Sequence, residues 1–146
     1  GMNDAAAAVV VTTLDTAKSL GLEPLVSVKS YKVAGVDPDI MGIGPVPAIR
    51  GALEQASLTL ADIDRFEINE AFAAQYLACE RELGLERDRV NVYGSGIALG
   101  HPVGATGCRL VVTLFHQMIE EKLRYGVASL CAGGGMGFAV VLERMT

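Results

Sequence analysis

NVYGSGIALGHPVGATGCR, residues 91–109, holds five glycines, one histidine, one proline and no carboxylate. Glycine at that density lets a backbone approach a ligand closely and take up positive φ without a steric cost. Pro102 restricts the residue before it to extended geometry, so His101 is expected on a shaped loop and not on a helix face. Gly104 to Gly107 then open a helix, whose first amides are unpaired and carry partial positive charge. A histidine and free backbone donors facing one space suit a site where negative charge develops on oxygen.

The neighbouring segments supply the frame. Leu110, Val111, Leu114, Met118 and Ile119 form an apolar stripe on a long helix reaching about Lys122. Two β-rich runs follow, Tyr125 to Cys131 and Gly137 to Glu143, and the glycine connection between them predicts an antiparallel hairpin. On the other side, the alanine- and valine-rich run Gly1 to Thr13 reads as a strand buried on both faces. Thr13 then caps a short helix through Leu20, with Gly21 just past its end. Pro24 to Val36 reads as a second strand and 37–44 as a loop. Pro47 falls in the first turn of a helix that carries Ile49, Leu53 and Ala56 on one face. Thr59 and Asp62 form a capping box around a brief turn. Phe66 to Asn69 is a short strand, Ala71 to Leu83 a helix stopped by Gly84, and Glu80 to Arg89 a solvated, mixed-charge stretch. Val90 to Tyr93 is short and extended. This alternation predicts an α/β domain in three layers, with a mixed, mostly parallel five-stranded sheet and helices on its faces.

Composition limits the function classes. The chain has 146 residues, 51% hydrophobic and 20% charged, which argues for a heavily buried domain and against disorder. A net charge of −5 without a Lys/Arg cluster argues against nucleic acid and anionic membrane as partners. No apolar run reaches the length of a membrane span, and the start lacks a secretory pattern. Cys79, Cys108 and Cys131 are odd in number and not at metal-ligand spacing, so free thiols in a reducing, cytoplasmic setting are expected.

Three motifs stand in one order: NEAFA at Asn69 to Ala73, GHPVGATG at Gly100 to Gly107, and CAGGGMG at Cys131 to Gly137. With the opening GMNDAAAA and the segment VAGVDPDIMGIGPVPAI at Val33 to Ile49, they resemble the C-terminal half of the thiolases, the acyl-CoA C-acyltransferases. The resemblance covers essentially the whole chain, residues 1–146. It implies acyl transfer between coenzyme A thioesters, by Claisen condensation or by thiolytic cleavage of a 3-ketoacyl-CoA, as in fatty acid metabolism. It implies acyl-CoA and acetyl-CoA as substrates, no metal and no further cofactor, and a homo-oligomer.

Taken alone, a buried cysteine is a small hydrophobe. By resemblance, Cys131 is instead the general acid/base that removes a proton from the acetyl-CoA methyl group and returns it to the leaving enolate. His101, read in isolation as a packing histidine, matches the histidine that activates the nucleophilic cysteine and then donates to the thioester oxygen. Asn69, an ordinary candidate for a helix cap, matches the residue that holds a water in the enolate oxyanion hole. Gly133 matches a glycine whose N–H serves a second oxyanion hole, against a plain reading as hairpin turn. Met41 and Phe72 match positions lining the acyl and pantetheine end of the pocket, and each alone reads as core. Ala5, Cys108 and Tyr93 depart from the family pattern; Tyr93 leaves chain-length preference open.

The resemblance also implies an N-terminal half, in the same or a separate chain, that supplies the acyl-accepting cysteine. Cys131 stands in the motif of the other cysteine. Ping-pong acyl transfer needs one thiol to carry the acyl group and a second group to move the proton, so these residues make half of an active site and the chain alone is expected to be inactive. The alternative is a non-catalytic domain of thiolase descent that binds coenzyme A esters or serves assembly. A ketosynthase-type condensing enzyme would place a histidine where Cys131 stands.

Overall fold

A computed structural model describes residues 3–145. The chain runs α1 (Leu14–Ser19), β1 (Val26–Gly35), a 3₁₀ segment (Pro38–Ile43), α2 (Pro45–Ala56), a 3₁₀ turn (Leu60–Asp62) and β2 (Arg65–Ile68). It continues with α3 (Ala73–Leu83), a 3₁₀ turn (Arg87–Arg89), α4 (Gly96–Leu99), α5 (Thr106–Glu120), β3 (Tyr125–Ala132) and β4 (Met136–Arg144). The expected punctuation does its work locally. The Thr13 hydroxyl accepts from the amide of Thr16, Asp62 accepts from the backbone and hydroxyl of Thr59, and Gly84 closes α3 at φ +63°.

The sheet has four strands in the order β1-β4-β3-β2. β4 pairs antiparallel with β1 and with β3, and β2 and β3 are parallel. The α/β layering therefore stands, while the expectation of five mostly parallel strands does not. The strand expected over Gly1 to Thr13 accounts for the difference. Gly1 and Met2 lie outside the described residues, and residues 3–13 form no strand, with Val10 88% and Val11 80% exposed. A strand needs a ladder partner and a face to bury, and β1 is paired along β4 alone. Val90 to Tyr93 shrinks to a single parallel bridge between Val90 and Phe66, after which Asn91 turns at φ +50°.

Helices cover both faces. α2 crosses β1 and β4, and with α3 it encloses Ile49, Leu53, Phe66, Ile68, Val127 and Val141. α5 lies on the other face against β2 and β3, where Leu110, Leu114 and Met118 meet Ala128 and Leu142. Each of these three helix residues is fully buried, a contribution of roughly 2 kcal/mol apiece. The β3–β4 hairpin turns through Gly133 to Gly135, as its glycines predict. The start of β4 passes so close to α2 that a Cβ on Gly137 would lie 1.9 Å from the Gly44 carbonyl oxygen. The outcome is that the parallel strands β2 and β3 end side by side, and the glycine loop lies over the end of β2.

Candidate active site

β2 delivers Asn69. The strand stops at Ile68, and the Asn69 amide still donates to the Ser129 carbonyl of β3 at 2.9 Å. Two side chains then tie the glycine loop to this strand end. Asn91 imitates a strand partner: its Oδ1 accepts from the Ile68 amide and its Nδ2 donates to the Ile68 carbonyl, both at 2.8 Å. Asn91 Nδ2 also reaches Glu70 Oε1 at 3.2 Å, and the other Glu70 oxygen accepts from the amide of Ile97 at 3.0 Å. Gly96 packs directly on this corner. A Cβ there would stand 2.5 Å from the Glu70 carbonyl oxygen and 3.0 Å from Asn69 Oδ1. α4 itself was not expected, because its four residues lie inside a run whose glycines read as loop.

The loop carries His101 back over Asn69. His101 Nε2 lies 3.4 Å from Asn69 Nδ2, and His101 Nδ1 lies 2.7 Å from Thr106 Oγ1 at the start of α5. Thr106 Oγ1 in turn lies 3.0 Å from the Pro102 carbonyl oxygen. The ring is half-buried, whereas Asn69 is fully buried with no hydrogen-bond partner for its Oδ1. The amide side chain is thus held by packing and not by a saturated network.

Cys131 is the next-to-last residue of β3, two residues beyond Ser129 on the same face of the strand. It is buried, and burial pushes its thiol up, offset partly by its own backbone amide. Among the described residues no hydrogen bond joins Cys131 to His101 or Asn69. Gly133 sits exposed in the hairpin turn with open space around it. Met41 is half-buried in the 3₁₀ segment, and Phe72 is 68% exposed at the foot of α3. The structure thus brings His101 and Asn69 into contact, sets Cys131 one residue before the end of the adjoining strand, and leaves Phe72 open.

Sequence reasoning missed a buried polar group beneath the site. Glu67, on β2 two residues before Asn69, is fully buried and accepts from Gln117 Nε2 at 2.8 Å. Arg109 Nη1 stands 3.7 Å from its second oxygen, and Arg109 Nη2 donates to Ser95 Oγ at 3.3 Å. Burial raises the Glu67 carboxyl from 4.5 to about 7, against the lowering effects of Gln117 and Arg109. The available signal was an acid inside the apolar strand RFEI, with a glutamine in the apolar stripe of α5.

Among the described residues no cluster of three His, Cys, Asp or Glu could hold a metal ion, no helix is long and apolar enough to cross a membrane, and all three cysteines are free.

With the layered fold, the strand-end amide and the looped histidine in place, comparison with known proteins gives the class. The family model described as thiolase, C-terminal domain, matches residues 22–144, and the chain belongs to the thiolase family. Among particular relatives, the acetyl-CoA acetyltransferase of Cupriavidus necator is 56% identical over 144 residues, which are 99% of this chain and 37% of that protein. The acetyl-CoA acetyltransferase of Escherichia coli is 53% identical over 145 residues, again 99% of this chain and 37% of that protein. The crystal structure of the Bacillus anthracis acetyl-CoA acetyltransferase aligns with a TM-score of 0.89 at 56% identity, covering 91% of this chain and 34% of that one. Human mitochondrial 3-ketoacyl-CoA thiolase in complex with CoA aligns with a TM-score of 0.90 at 49% identity, covering 91% of this chain and 34% of that one. The chain therefore spans somewhat more than a third of the length of the curated relatives it matches.

Proposed function

We propose that this chain is the C-terminal half of an acetyl-CoA C-acyltransferase and contributes the proton-moving half of its site. The observation that carries the reading is the meeting of His101 and Asn69 at the end of β2, 3.4 Å apart, next to the strand that carries Cys131. In condensation, the Cys131 thiolate takes a proton from the methyl group of acetyl-CoA. The enolate oxygen that forms is held by His101 and by a water on Asn69, and the enolate carbon attacks an acyl group carried as a thioester on a second cysteine. That thiol leaves and takes up a proton, with His101 as the proton carrier. In cleavage the steps reverse, and Cys131 returns its proton to the departing enolate. Its raised thiol suits that donor role, and the condensing direction needs the thiolate drawn back down by groups around the bound substrate. The Gly133 amide serves the second oxyanion hole, and Met41 and Phe72 line the acyl and pantetheine path.

The acyl-accepting cysteine belongs to the longer portion of such proteins that this chain does not span. The exposed Phe72 fits a pocket wall completed by that portion. Free Cys79, Cys108 and Cys131 fit a reducing compartment such as the cytoplasm. The test is thiolysis of acetoacetyl-CoA by the chain alone and by the chain joined to the remaining portion of the Cupriavidus relative. Turnover is expected only from the joined protein and is lost on His101→Ala. Heat of acetyl-CoA binding without products from the joined protein would mark a non-catalytic binding domain and overturn the proposal.

A further inference from the structure

The histidine of this site has a second contact that its proposed chemistry does not use. Thr106, the first residue of α5, is 1% exposed, and its hydroxyl lies between His101 Nδ1 at 2.7 Å and the Pro102 carbonyl oxygen at 3.0 Å. A carbonyl can only accept. If the single hydroxyl proton of Thr106 goes to Pro102, the oxygen is left to accept from the ring, which requires the proton on Nδ1. The other ring nitrogen then faces Asn69 Nδ2, an N–H donor, at 3.4 Å, and meets it with a lone pair. Both ends of the ring agree on one tautomer.

We infer that Thr106 is a positioning residue that fixes His101 as the Nδ1–H tautomer and aims a bare Nε2 into the site. The hydrogen bond made by one imidazole nitrogen decides which state the other presents. A bare Nε2 can take a proton from a thiol and hand it on to a thioester oxygen, while Nδ1–H stays bonded to Thr106 in both charge states. The short chain from His101 to Thr106, with Pro102 between them, makes this a local device: the loop and the first turn of α5 carry it. The kinetic consequence rests on the acyl-transfer reading, but the tautomer does not.

Two measurements separate the two. Imidazole ¹⁵N shifts of this chain, read for the neutral form of the ring, are expected to show a protonated Nδ1 and an unprotonated Nε2 for His101. Thr106→Ser should keep that pattern, and Thr106→Val should mix or reverse it. In the protein joined to the remaining portion of the Cupriavidus relative, Thr106→Val should lower kcat roughly ten- to a hundredfold with little change in KM, by analogy with partners that orient metal-ligating imidazoles, and Thr106→Ser should restore it. An Nε2–H tautomer in the unaltered chain, with Asn69 turned to accept from it, would overturn the inference even if Thr106→Val failed to fold. So would a tautomer and rate unmoved by Thr106→Val. A fixed Nδ1–H tautomer in a joined protein without turnover would leave this inference standing and sink the acyl-transfer reading instead.

Discussion

At the level of single residues, the site divides into groups that the sequence announces and groups that only packing reveals. His101 is announced because Gly100 and Pro102 leave it no helix to sit on, and Asn69 because a polar amide ends an apolar strand. Their 3.4 Å meeting supports a shared oxygen-binding role, and Asn69→Ala is expected to lower kcat of the joined protein by about 10²–10³, the usual loss for one oxyanion-hole donor. An unchanged kcat would remove Asn69 from the mechanism. Glu67 is the opposite case. Nothing in RFEI says which neighbour will cover the acid; α5 does so from fifty residues away in sequence, bringing Gln117 and Arg109. Its carboxyl is raised from 4.5 to about 7. Between those values the folded chain keeps a proton that the unfolded chain has released, so stability falls as pH rises through that window. The loss is on the order of 3 kcal/mol, complete above the upper value. Urea midpoints taken at about pH 5 and about pH 8 should differ in that direction, and Glu67→Gln should narrow the difference. An equal slope in the variant would locate the pH dependence elsewhere.

Among the elements, the readable ones carry their own boundaries. Thr13, the Thr59–Asp62 pair and Gly84 act within a few residues, so α1, the 3₁₀ turn before β2 and the end of α3 follow from local chemistry. The hairpin of β3 and β4 follows from its glycines in the same way. The run before Thr13 fails because β-branched and alanine-rich sequence signals burial without naming a partner, and Val10 and Val11 remain exposed. Sheet direction fails for a related reason: alternation of strands and helices implies parallel pairs, but β1 joins the sheet through the last strand and runs against it. The glycines of the hairpin also have separable duties. Gly137→Ala drives a methyl group against the Gly44 carbonyl and is expected to cost about 1–3 kcal/mol or more. Gly133→Ala meets open space and keeps the N–H, so stability should stay within about 0.5 kcal/mol of the parent. Chemical denaturation of the two variants side by side checks both, and equal losses would contradict the close approach of β4 to α2.

For the molecule as a whole, the fold explains why Asn69 and His101 meet where they do. Among the described residues only the strands β2 and β3 run parallel, and at the end of β2 the Asn69 amide meets the His101 imidazole, with Cys131 near the end of β3. Apolar side chains stay exposed around that end, including Phe72, Ile97, Leu99 and Val103, which fits a site finished by further protein. The most direct measurement is exchange of the acetyl-CoA methyl protons in D₂O, followed by mass spectrometry, with the chain joined to the remaining portion of the Cupriavidus relative. The account predicts deuterium uptake that disappears with Cys131→Ala and falls with His101→Ala. Uptake at the parent rate in Cys131→Ala would show that another group moves the proton, and the assignment of this strand-end thiol would be wrong.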